Sequence, residues 1–234
     1  MLKGHTHGNW LGDSPVVPFS HQGEGNYFTA QPTPFTIKYY RVIKQRKSFM
    51  ILDKLLGNQS VIISLDVDDL LFERLQQIAE AGFTVVEINS TDTKLLTKAI
   101  AQYPSIKIGA GGIIEVQQLE NCYHAGVHFA TSPGYLPSIA QTANIYSINY
   151  LPGIATISEA MAVLSFGYTH VRPFPADLAF CTVLNKSLPH LKLFPAEIEW
   201  EEVEHFLNLP AVAAVGINNP DKKQLAALAT SILI

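Results

Sequence analysis

From residue 50 onward the chain alternates short, nearly unbroken apolar runs with longer stretches in which apolar residues recur every three or four positions. A continuous run of Val, Ile and Leu fits a strand covered on both faces, as in a parallel sheet. The three-to-four spacing fits a helix with one buried stripe. The runs predict strands at residues 61–65, 84–88, 106–109, 128–131, 145–150, 170–174, 191–194 and 212–215. The stripes predict helices at 70–81, 94–103, 116–125, 158–166, 178–188, 201–207 and 221–231. Eight strands in regular alternation with helices predict a (β/α)8 TIM barrel over residues 50–234, since each return to the same edge of a parallel sheet requires a crossover. The main rival is an open doubly wound sheet. Its Gly-x-Gly-x-x-Gly sign does not follow the first strand, where Asp66-Val67-Asp68-Asp69 reads as helix capping.

Two stretches in this pattern echo one another: His170-Val171-Arg172-Pro173-Phe174-Pro175-Ala176-Asp177 and Leu191-Lys192-Leu193-Phe194-Pro195-Ala196-Glu197. Each is an apolar run with one long basic side chain, stopped by Pro-Ala and an acid. Proline cannot continue a ladder, and an acid suits the helix N-terminus that should follow. The basic residue before each proline is thereby aimed towards the carboxyl ends of the strands, the end that carries the chemistry in βα folds.

Composition narrows the function classes. The formal net charge of -4 divides unevenly: residues 1–49 hold six Lys/Arg against two acids, and residues 50–234 hold ten against eighteen. An acidic folded part argues against nucleic acid as a partner. Residues 1–49 show neither helical nor strand periodicity and read as a poorly ordered extension, in which His5 and His7 are expected to be solvated rather than metal-bound. Regular patterning starts near Met50, which suggests a physiological start there. Cys122 and Cys181 have no paired spacing, so no disulfide framework, zinc site or other cofactor is expected and the cytosol is the default compartment. No apolar run approaches the roughly 18 residues of a membrane span, and the N-terminus lacks the order of a signal peptide.

Candidate chemistry lies at the strand ends. Glu87 stands in an apolar strand between Val86 and Ile88, where desolvation favours a proton-transfer role and a structural ion pair is an equal alternative. The turn Gly109-Ala110-Gly111-Gly112 lets backbone approach a ligand or simply packs tightly. Ser132-Pro133-Gly134 and Pro152-Gly153-Ile154-Ala155-Thr156 set further rim turns.

Taken together and in order, Val86-Glu87-Ile88, Gly109-Ala110-Gly111, Phe129-Ala130-Thr131-Ser132-Pro133-Gly134, Pro152-Gly153-Ile154-Ala155-Thr156 and Phe174-Pro175-Ala176-Asp177 resemble the 2-keto-3-deoxy-6-phosphogluconate / 4-hydroxy-2-oxoglutarate aldolases over residues 50–234. The resemblance implies a (β/α)8 barrel, usually a homotrimer, that cleaves a 2-oxo acid to pyruvate and an aldehyde through a lysine Schiff base, with a glutamate shuttling protons. It implies that glutamate's role for Glu87, and pocket positions for Gly111, Gly112, Pro133 and Phe174.

The departures are as informative. Counted from Pro152-Gly153, the family's lysine falls on Arg172, whose guanidinium has no lone pair with which to attack a carbonyl. The family's substrate-holding arginines fall on Asp66 and Thr91, and the threonine after the glycine turn falls on Gly112. Where the family ends its last two strands in phosphate-cradling glycines, this chain has Pro195-Ala196-Glu197-Ile198-Glu199 and Gly216-Ile217-Asn218-Asn219. Carboxylates near a dianion repel it, so a phosphorylated substrate is not expected. Lys192 lies either on strand six after an insertion or on strand seven, and the second is favoured because it keeps eight strands and leaves no exposed edge. Either it faces the interior as a relocated amine nucleophile, or it snorkels or pairs with an acid.

Three readings follow. The first is an aldolase-like lyase on a small unphosphorylated 2-oxo acid, with Lys192 as nucleophile, Glu87 as proton shuttle and Arg172 as carboxylate clamp. The second is a non-catalytic relative that binds a small anion or a protein partner. The third, a barrel isomerase using Glu87, is disfavoured because its usual substrates carry phosphate.

Overall fold

The computed structural model describes residues 52–57 and 59–232, so the expectations for residues 1–49 and for Met50 lie outside the described residues. A short helix α1 (Leu52–Leu56) leads into β1 (Val61–Leu65), α2 (Leu71–Glu80), β2 (Val85–Ile88), α3 (Thr93–Gln102), β3 (Lys107–Ala110), α4 (Val116–Ala125) and β4 (Phe129–Thr131). Then come α5 (Pro137–Tyr146), β5 (Asn149–Leu151), β6 (Gly153–Ile154), α6 (Ile157–Ser165), β7 (His170–Pro173), α7 (Leu178–Ser187) and β8 (Lys192–Leu193). A 3-10 turn (Trp200–Glu202), α8 (Val203–Leu207), β9 (Val215–Asn218) and α9 (Lys222–Ile232) complete the described chain.

All named pairings are parallel. Six strands form one sheet in the order β5-β4-β3-β2-β1-β9, and β6-β7-β8 form a second. The break between them is one residue wide. Pro152 has no N–H to give, yet its carbonyl still accepts from Arg172 N at 2.9 Å, so one extended segment pairs with β4 before the proline and with β7 after it. On the other side, Leu193 N donates to Ala211 O at 2.8 Å, Ala213 N to Leu193 O at 2.9 Å, Gly216 N to Pro195 O at 2.7 Å and Ile198 N to Gly216 O at 3.0 Å.

Local sequence explains most helix starts. Asp92 accepts from Lys94 N and Leu95 N, Thr156 accepts from Glu159 N, and Asp177 accepts from Phe180 N at 2.6 Å. Each satisfies a backbone donor that has no partner within the helix. Val61, Ile62, Ile63 and Leu65 of β1 are buried on both faces, and Leu71, Leu75 and Ile78 form the buried stripe of α2.

Four expectations are corrected. A helix, α5, occupies 137–146 where none is predicted, and it takes Ile145 and Tyr146 out of the strand expected at 145–150. The alternating Tyr146, Ile148 and Tyr150 mimic a strand. Ser147, in the left-handed region at φ 57°, ends the helix and turns the chain into β5. Asp66 caps no helix: its carboxylate accepts from Asn89, Asn218 and Asn219. The last strand runs 215–218 rather than 212–215, with Val212 making only an isolated pairing to Leu193. Finally, Glu197 caps no helix: it has φ 57°, and the 3-10 turn that leads into α8 starts only at Trp200, with Glu199 before it.

Candidate functional site

β2 and β7 lie apart in the sheet order, yet each presents one charged side chain to the same interior. Glu87 is 2% and Arg172 7% exposed, so two charges have left water together. Arg172 Nη1 donates to both Glu87 oxygens at 2.7 Å and to Thr131 Oγ1, at the end of β4, at 2.9 Å. Among the described residues no partner is found for Nε or Nη2. Since no buried polar atom is left unpartnered among the described residues, those two nitrogens retain some access to the pocket.

That pocket, of about 190 Å³, is lined by Glu87, Asn89, Gly112, Thr131, Ser132, Pro133, Arg172, Phe174 and Glu197. It opens at the carboxyl ends of the strands. Phe174 sets its ring 6.0 Å from the Arg172 guanidinium carbon. Tyr150, fully buried, donates to Ser132 Oγ at 2.9 Å, and burial pushes its phenol up to about 12. Gly111 stands behind the pocket rather than in it. Its amide donates to Ile88 O at 2.8 Å, and a Cβ there would meet Glu87 Oε1 and Asn89 Oδ1 at 2.6 Å, so its part is to make room for those two side chains.

Beside the mouth, Asp66 N donates to Asn219 Oδ1 at 3.0 Å, and Arg74 Nη1 donates to the same oxygen at 3.0 Å. The Asn89 amide holds the Asp66 carboxyl below its usual range, helped by Asn219, Asn218 and the Arg74 charge and opposed by desolvation.

Of the seven residues singled out from sequence, Glu87, Arg172, Gly112, Pro133 and Phe174 are brought together. Lys192 is not. It is exposed at the amino end of β8, in register with His170 at the amino end of β7, whereas the pocket lies at the carboxyl ends. Among the described residues no lysine lines the pocket. Sequence reasoning missed Asn89, Thr131 and Ser132 as pocket walls, since they lay within the strand-end motifs but were not singled out. Glu197, expected near the substrate's far end, does line the pocket. No group of three potential metal ligands occurs among the described residues, and no described helix is long and apolar enough to cross a membrane.

Parallel strands with intervening helices and a charged pocket at the carboxyl strand ends define an α/β protein of TIM-barrel-like type. Residues 53–225 match the family model "Aldolase: KDPG and KHG aldolase", and the chain belongs to that family. A 2-dehydro-3-deoxy-phosphogluconate aldolase from Pseudoalteromonas atlantica is 40% identical over 99 residues, which is 41% of this chain and 46% of that protein. One of the same name from Pseudomonas aeruginosa is 24% identical over 163 residues, 66% of this chain and 74% of that protein. The first match thus spans under half of its relative. Among solved structures, the KDPG aldolase of Legionella pneumophila, with pyruvate captured as a covalent carbinolamine, has a TM-score of 0.67 at 28% identity, covering 76% of this chain and 96% of that one. The 2-keto-3-deoxy-6-phosphogluconate aldolase of Zymomonas mobilis shares the fold, with a TM-score of 0.69 at 21% identity over 78% of this chain and 94% of that one.

Proposed function

We propose that this chain keeps the ligand class of its family but not the covalent chemistry: its pocket binds a small, unphosphorylated 2-oxo acid whose carboxylate is taken by Arg172. The observation that carries this reading is the guanidinium itself. Nη1 is committed to Glu87 and Thr131, which orients the group and leaves the Nε and Nη2 donors for a ligand. A planar fork held in this way suits a carboxylate. By spacing from Pro152-Gly153, Arg172 stands where the family has its lysine, and a guanidinium forms no imine with a keto carbon. Glu197 at the mouth opposes a phosphate.

Incubation with pyruvate and borohydride, followed by intact mass, tests the loss of covalent chemistry. The wild type gains no adduct, R172K gains one at residue 172, and an adduct on any wild-type lysine overturns the reading. Binding is tested by calorimetry, in which pyruvate uptake disappears in R172M.

A second reading, a lyase working without a Schiff base, is favoured by one observation: Glu87 and Arg172 share the pocket, a proton acceptor beside a group able to polarise a keto oxygen. Deuterium exchange into the pyruvate methyl group, followed by NMR, decides between the two. Exchange that is lost in E87Q supports the lyase, and no exchange supports binding alone.

The same proposal includes two structural parts. One is an eight-stranded closure through the 193–198 and 211–216 segments, checked by hydrogen exchange at the Ala213 and Gly216 amides. The other is the homotrimer carried over from the family, checked by light scattering.

A further inference from the structure

Arg172 and Glu87 cancel one another's charge in the pocket wall, and among the described residues the one further ionisable residue lining it is Glu197. The wall therefore carries a net negative charge, set at the mouth. The residue bearing it is placed at a cost. Glu197 adopts φ 57°, a conformation unfavourable for any side chain with a Cβ. The turn is pinned from both sides by Gly216: its amide donates to Pro195 O at 2.7 Å, and its carbonyl accepts from Ile198 N at 3.0 Å. Such strain persists where the surroundings over-determine it, and here it delivers a carboxylate to the rim of a pocket whose inner end offers guanidinium donors.

We infer that Glu197 sets specificity for a ligand that is cationic at its far end: a small carboxylic acid with a distal ammonium, balanced at one end by Arg172 and at the other by Glu197. This rests on the carboxylate-binding reading above and deepens it. A distal carboxylate or phosphate meets Glu197 with like charge, whereas a distal ammonium neutralises it.

Two probes of equal length separate the cases: glutarate, with a distal carboxylate, and 5-aminopentanoate, with a distal ammonium. Both are titrated calorimetrically at neutral pH into the full chain, with pyruvate as the reference carboxylate. The wild type is expected to prefer 5-aminopentanoate about tenfold, the size expected when a mouth charge reverses from repulsive to attractive in a solvent-rich setting. In E197Q the ratio falls to within about twofold, and E197G, which suits the left-handed backbone, gives the same result if the glutamine variant folds poorly. Added salt shrinks the wild-type ratio.

Equal affinities in the wild type, or a preference that survives in both variants, overturn the inference while leaving the carboxylate site standing. So does pyruvate binding with neither five-carbon probe bound. If pyruvate and both probes all fail to bind, the carboxylate-binding reading falls, and this inference with it.

Discussion

The two echoing segments, Arg172 to Asp177 and Lys192 to Glu197, share a basic residue, Pro-Ala and an acid, yet they are built differently. In the first, Arg172 is buried against Glu87, and Asp177 caps α7. In the second, Lys192 is exposed at the amino end of β8, and Glu197 turns left-handed at the pocket rim and caps no helix. Register accounts for the basic residues. Lys192 aligns with His170, one layer below Arg172, and Phe194 N reaches Val171 O, so an aromatic rather than a cation follows next to Arg172. The acids differ because one segment continues into a helix and the other is tied to β9. A shared pattern of residue types thus places a charge inside or outside according to which neighbouring strand it is paired with.

Substitutions at matched positions sharpen this contrast. The largest effect is expected at Arg172: R172M strands the Glu87 carboxylate in the interior and costs roughly 3–5 kcal/mol. Urea denaturation should show this loss, and the E87Q/R172M double variant should recover much of it. A double variant no more stable than R172M would mean that the pair is not energetically coupled.

The acids come next. D177A removes a cap and costs about 1 kcal/mol, whereas E197A, exposed and capping nothing, changes stability by under about 0.5 kcal/mol. Thermal melts of the two side by side check this asymmetry, which equal losses would contradict. K192M is expected to leave pyruvate affinity unchanged in the same calorimetric assay that loses it in R172M.

A small, pH-dependent effect concerns the solvent-exposed Asp66, whose carboxyl is held below its usual range chiefly by Asn89. A group with a depressed folded pKa contributes stability above its unfolded value, and loses it as pH falls through the folded one. D66N should therefore be less stable than wild type at neutral pH by less than about 1 kcal/mol, given solvent screening. The difference should shrink as pH falls through the folded pKa of Asp66, which lies below the usual carboxylate range, and vanish only once the folded wild type is itself protonated there. A difference that persists there would place the Asp66 contribution in shape rather than charge.

Much of this was legible in the residue pattern. Continuous apolar runs and three-to-four stripes marked β1, β2, β3, β4 and β7 and their helices, because burial on two faces and on one stripe leave different periodicities. The strand-end motifs carrying Glu87, Pro133 and Phe174 were visible for the same reason, and family membership of residues 53–225 agrees with their order. The end of helix α5 was not legible, since Tyr146 alternates with Ile148 and Tyr150 beyond it as a strand would. Nor was the tail of β9, which follows pairing with β1 rather than its own apolar content.

By itself, then, the sequence determined the alternation of elements and the family. Those follow from local periodicity and residue identity. Only the tertiary structure decided that Glu87 and Arg172 meet, that Lys192 does not join them, and that Glu197 turns left-handed at the pocket rim instead of capping a helix. Each of these turns on strand register and long-range hydrogen bonds between residues far apart in the chain, as in the pairing of Lys192 with His170, two residues short of Arg172.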